Sequence, residues 1–153
     1  DADDHEDGVQ ARDPALRLDF LFWPWIRLAP DSVTRVVLAT DPALVASASR
    51  AEQAEVAMVR EHILPVSPRR NGLLNEAKVM SSLERYALER ISAPTLAISA
   101  QDDYYDTYES ARYTAAQIPR ARFLGYPTGG HMLVGHQQEV MAEITRFLKA
   151  QQK

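Results

Sequence analysis

The chain has 153 residues, 46% of them hydrophobic and 25% charged, with a formal net charge of −4. That is the composition of an ordinary globular domain, long enough to bury roughly 70% of the surface its unfolded chain exposes. The slight negative charge offers no basic field for a phosphate backbone, which argues against nucleic acid as a partner; the absence of cysteine excludes disulfides, thiolate metal sites and a cysteine nucleophile, and it fits a reducing, cytoplasmic compartment.

Residues 1–12 are acidic and poor in apolar side chains, so they read as a solvated, flexible segment that carries His5 with it. Their charge is the opposite of a signal peptide's basic start. The densest apolar run, FLFWPWI at 20–26, is seven residues long and contains Pro24. A membrane span requires ~20 apolar residues, so no membrane partner is expected.

Residues 13–90 read as helix after helix. Asp13-Pro14 and Asp41-Pro42 each pair an N-cap with a proline at the first helical position. Ser49-Arg50-Ala51-Glu52 is a capping box opening a helix to about Ile63, with Ala51, Ala54, Met58 and Ile63 as candidates for its buried side. Gly72 and Asn75 punctuate the chain ahead of a further amphipathic stretch with Val79, Leu83 and Tyr86 at helical spacing.

After Ser92 the period changes. PTLAISA at 94–100 is a short apolar run, the pattern of a parallel strand buried on both faces. A polar loop, QDDYYDTYES, leads to a helix from about Glu109 to Gln117, and ARFLGY at 121–126 is a second strand. A closing helix from about Glu139 to Lys149 carries the stripe Val140, Ile144, Phe147 and Leu148. Strand, helix, strand implies a βαβ unit with parallel strands and a right-handed crossover.

In such a sheet, ligands and chemistry sit off the carboxyl ends of the strands. The loop after the first strand carries Asp102, Asp103 and Asp106, and the loop after the second, YPTGGHMLVGH, carries His131. A carboxylate accepting the Nδ1 proton of His131 would fix its tautomer and leave Nε2 free as a base. Each residue also has a plainer role open to it, since an aspartate pair after a strand serves turns and caps, and a histidine between glycines serves the surface. His131 and His136 are spaced H-x₄-H on a loop, which fits no metal template. His136 reads as the start of the closing helix, and His62 as a helix-end residue near Pro65.

ISAPTLAISAQDD at 91–103, IPRARF at 118–123 and GGH at 129–131, followed by VGHQQEVMAEITRFLKA, resemble the end of an α/β-hydrolase. The resemblance implies a catalytic acid at Asp103, three residues after Ala100, which stands where the family usually has glycine. It implies a catalytic histidine at His131. Residues 91–153 would be the C-terminal part of the core, a parallel βαβα unit, and 13–90 the helical cap inserted before it. LFWPWIRLAP and ILPVSPRRNGLLN would then be cap helices and connections. Trp23, Trp25, Phe20 and Phe22 are candidates to line an apolar pocket or to pack between cap helices.

The family's nucleophile sits on a G-x-S-x-G turn. Of the six glycines, only Gly125 and Gly129 stand four apart, with Pro127 between them, so this chain has no such turn and no oxyanion loop. Ser99 falls inside a strand and Ser110 inside a helix. The expectation is a C-terminal portion whose nucleophile-bearing half is absent. Its uncovered strand edge should leave it insoluble, paired with the missing N-terminal half, or swapped with a second copy.

The resemblance implies hydrolysis of an ester, thioester, lactone or C–C bond next to a carbonyl in a small apolar substrate, with no cofactor and no metal. Two other functions remain open: a non-catalytic ligand-binding or interaction module on the same fold, and an epoxide or haloalkane hydrolase with an upstream Asp nucleophile. The substrate-binding residues are open as well.

Overall fold

The computed structural model describes residues 19–151. The acidic segment 1–12 and the helix start at Asp13-Pro14 lie outside them. The described residues form a mixed α/β structure with the order α1 (Asp19–Leu28), α2 (Pro30–Val36), α3 (Pro42–Ser47), α4 (Arg50–Glu61), a 3₁₀ turn (Ser67–Arg69), α5 (Arg70–Met80), a second 3₁₀ turn (Leu88–Arg90), β1 (Thr95–Ala100), α6 (Tyr108–Gln117), β2 (Ala121–Tyr126) and α7 (Gln137–Ala150).

The two strands pair in parallel, from Thr95 opposite Ala121 to Ala100 opposite Tyr126. Side chains alternate between the faces of a strand. One face sends Ile98, Ala100, Leu124 and Tyr126 against Val140 and Ile144 of α7. The other face receives α6, where the ring of Tyr108 meets Phe123 edge-on at 5.2 Å. Gly125 is required there, because a Cβ would stand 2.6 Å from the Tyr108 hydroxyl. Along β1 only Ser99 and Ala100 are fully buried, and the first four residues are half-covered, so the expected burial on both faces holds only at its carboxyl end.

The helical region starts where local chemistry directs. Asp41 caps α3 by accepting the Ala43 amide at 3.0 Å. At α4 both halves of the Ser49–Glu52 capping box are made. The buried side of α4 differs from the expected one. Val56 is fully buried, with Val59 and Ile63 beside it, whereas Ala51, Ala54 and Met58 face outward. The reason is the partner: Val134, from the loop after β2, packs with Val56 and Leu38 and selects the face that turns inward.

Helix α5 also departs from expectation, since Gly72 and Asn75 lie within it and it ends at Met80. The hydroxyls of Ser81 and Ser82 bond back to the Lys78 and Val79 carbonyls and so compete with further helical turns. Val79, Leu83 and Tyr86 are consequently exposed rather than aligned on one helix. No helix among the described residues is long and apolar enough to cross a membrane.

Candidate acid–histidine site

Beyond β1 the ladder gains one more bond, from the Gln101 amide to the Tyr126 carbonyl, and the chain then turns. The turn puts Asp102 and Asp103 to different uses. Asp103 is buried, its side chain only 3% exposed. One of its oxygens accepts the Tyr105 amide at 2.8 Å. The other accepts the Thr107 hydroxyl and lies 3.0 Å from Nδ1 of His131. Because the Thr107 hydroxyl donates to the carboxylate, the Ser99 hydroxyl, 2.9 Å away, is left to donate to Thr107. Burial pushes the Asp103 carboxyl up, but the hydrogen bonds from Thr107, His131 and the Tyr105 amide outweigh it and hold the group below the usual carboxylate range.

In the loop 127–136 the amides of Leu133, Val134 and His136 bond to carbonyls of the loop itself, and groups from elsewhere satisfy those of Gly129 to Met132 and of Gly135. Asp102 accepts the Gly129 amide at 3.2 Å and the Gly130 amide at 2.8 Å. The His131 amide donates to the Ala39 carbonyl at 3.3 Å, and the Met132 amide to the Thr40 hydroxyl at 3.1 Å. Glu52, already closing the α4 capping box, takes the Gly135 amide at 2.8 Å. Gly130 has a φ of +60° and presses on Thr40, where a Cβ would come within 2.9 Å of the backbone. The second glycine of the pair therefore meets a steric and a conformational requirement together.

These bonds leave the His131 side chain 46% exposed above a buried carboxylate, with the edge of Tyr105 against its ring at 4.9 Å. With Nδ1–H given to Asp103, Nε2 is the free basic nitrogen. A cleft of roughly 720 Å³ opens beside the imidazole, between Ala51, Glu52 and Glu55 of α4 and Gln137, Gln138 and Met141 of α7.

Of the residues singled out in the sequence, Asp103 and His131 come together. Asp102 serves the backbone of the histidine loop, and Asp106 is exposed, its amide closing the turn on the Asp103 carbonyl. His136 precedes α7 and stacks on Tyr126 at 4.2 Å, away from the dyad. His62 caps the end of α4, its Nδ1 2.7 Å from the Met58 carbonyl. Phe20 and Trp23 are exposed, so neither is core packing, and none of the four aromatic residues of α1 lines the cleft beside His131.

Sequence reasoning passed over Thr107, Ala39, Thr40 and Glu52's second role, and it met Ser99 only as a discarded nucleophile, not as the donor to Thr107. Thr107 was within reach, being a hydroxyl four residues past the acid in the same loop. Thr40 carried no signal, because 92 residues separate it from Met132. Among the described residues no group of three histidine, cysteine or acidic side chains is arranged to hold a metal ion.

Comparison of the chain with protein-family models, with curated proteins and with solved structures finds no match.

Proposed function

We propose that the chain is the C-terminal portion of an α/β-hydrolase and supplies its acid and histidine. The observation that carries the reading is the 3.0 Å contact from Asp103 to Nδ1 of His131, a buried carboxylate beneath a half-exposed imidazole at the carboxyl ends of two parallel strands. In this reading Asp103 holds the tautomer and stabilises the imidazolium. Nε2 takes the proton of an attacking hydroxyl as that oxygen bonds the substrate carbonyl carbon, then returns it to the leaving group. Water reverses the sequence and frees the acid product.

The hydroxyl comes from outside this chain. Ser99 is committed to Thr107, and the Ser49 hydroxyl to Glu52. The bond cleaved is an ester, thioester, lactone or C–C bond next to a carbonyl, in a small apolar substrate. An upstream carboxylate nucleophile, giving epoxide or haloalkane hydrolysis, would use the same pair.

The test is release of p-nitrophenol from a short-chain ester by the chain alone and by the chain supplied with any polypeptide encoded ahead of residue 1 in its reading frame. Activity is expected only in the second case. There, His131→Ala should cost about 10⁴- to 10⁶-fold in kcat. A loss under about tenfold excludes His131 as the base, which would normally contribute at least 10²-fold. No hydrolysis in any combination favours the non-catalytic module.

A further inference from the structure

We propose that Thr40 is a positioning residue for the Asp103–His131 pair, through which the connection between α2 and α3 holds the imidazole over the carboxylate. This rests on the pair as the working site. The connection meets both loops of the site. The Ala39 carbonyl accepts two amides from them, Tyr104 at 3.1 Å, the residue after the acid, and His131 itself at 3.3 Å. Thr40 is fully buried. Its hydroxyl donates to the Leu38 carbonyl at 2.8 Å and accepts the Met132 amide at 3.1 Å, while its methyl fills the space left by the missing Cβ of Gly130.

The residues on either side of His131 are therefore both in contact with one side chain. Asp102 also ties the two loops together, but at Gly129 and Gly130, ahead of the histidine. After the histidine the adjacent fixed point is Thr40. Ala39 is held at a φ of +45°, a region alanine seldom visits, and it is almost completely buried. That conformation aims its carbonyl at both loops. A shift of residues 39–40 would therefore loosen the imidazole without touching either member of the pair.

The proposal separates a side chain that orients from one that merely packs. Thr40→Val keeps the shape but removes the acceptor for Met132; Thr40→Ser keeps the hydroxyl. The readout is the His131 tautomer in the ¹⁵N-labelled chain, recorded about two pH units above the usual imidazole value of ~6.5 and assigned with His131→Gln. The unaltered chain and Thr40→Ser should hold the proton on Nδ1, whereas Thr40→Val should lose about half of that population or more to the Nε2–H form that an unrestrained imidazole prefers.

A folded Thr40→Val chain with the unaltered tautomer overturns the role of Thr40. An unaltered chain already in the Nε2–H form overturns the Asp103–His131 pairing instead, a distinct failure. Should Thr40→Val not fold, amide exchange in the unaltered chain decides. Slow exchange at Met132 supports the proposal, and exchange as fast as a free amide overturns it.

Discussion

The strand-containing unit after Pro94 and the helical region before it are built on different terms. In the first, each element is bonded to or packed on a neighbour in the same unit: β1 on β2, α6 on one face, α7 on the other. The helical region has no such self-sufficiency. Its buried cluster of Leu38 and Val56 is completed by Val134, a residue of the histidine loop. From α5 onward it covers little, and Leu73, Val79, Met80, Leu83 and Tyr86 all stand exposed. The difference teaches that the helices of residues 30–63 are organised around the site loops, and the site loops around them.

Changes that strike this shared wall should therefore outweigh those elsewhere, and substitutions at five positions test it. The largest effect belongs to Asp103→Asn, which should lower kcat by about 10⁴-fold in any complemented, active form, because the wrong tautomer is then favoured; Asp102→Asn, whose amide can still accept one glycine N–H, should be mild. If the two results are reversed, the acid is Asp102.

Asp103 also sets a pH dependence. Its folded value lies below the unfolded one, so the stabilisation is complete above about pH 4 and is lost as the pH falls through the folded value. Urea melts between pH 6 and pH 2 should show that loss in the unaltered chain and a shallower one in Asp103→Asn.

Next comes Gly130→Ala, which combines a positive φ with a contact of 2.7 Å to the Thr40 methyl. It should destabilise by about 2–4 kcal/mol in urea unfolding. Thr107→Val should follow at about 1.5–3 kcal/mol, since it withdraws one donor from a buried carboxylate, and Thr107→Ser should restore most of it. Gly72→Ala has the smallest effect and the opposite sign. Nothing stands within 4 Å of the added methyl in α5, so it should stabilise by about 0.5–1 kcal/mol. Equal costs at Gly130 and Gly72 would remove the contrast between the regions.

What could be read from the residue order follows the same divide. The two strands and the caps at Asp41 and Ser49 were legible because their signals are local: short apolar runs bounded by polar turns, and a side chain three residues from the amide it serves. That a carboxylate of the first loop would meet His131 followed from parallel strands, which bring both loops to one edge, whereas the choice of Asp103 among Asp102, Asp103 and Asp106 came from the resemblance alone. The buried side of α4 was not legible, because Val134 selects it from far along the chain. Nor was the exposure of Trp23, since an apolar run promises burial only when something is present to cover it.

The double use of the Ala39 carbonyl bears on where the chain tolerates changes in length. Insertions succeed where the backbone is exposed and makes few bonds. Residues 83–87 fit that description, being exposed and without regular structure, and an added residue there shifts no contact of the site. Between Val36 and Pro42 one added residue moves the Ala39 carbonyl and the Thr40 hydroxyl out of register with the acid loop and the histidine loop at once. Natural variation in the spacing of these helices should therefore gather after α5 and spare the five residues that join α2 to α3.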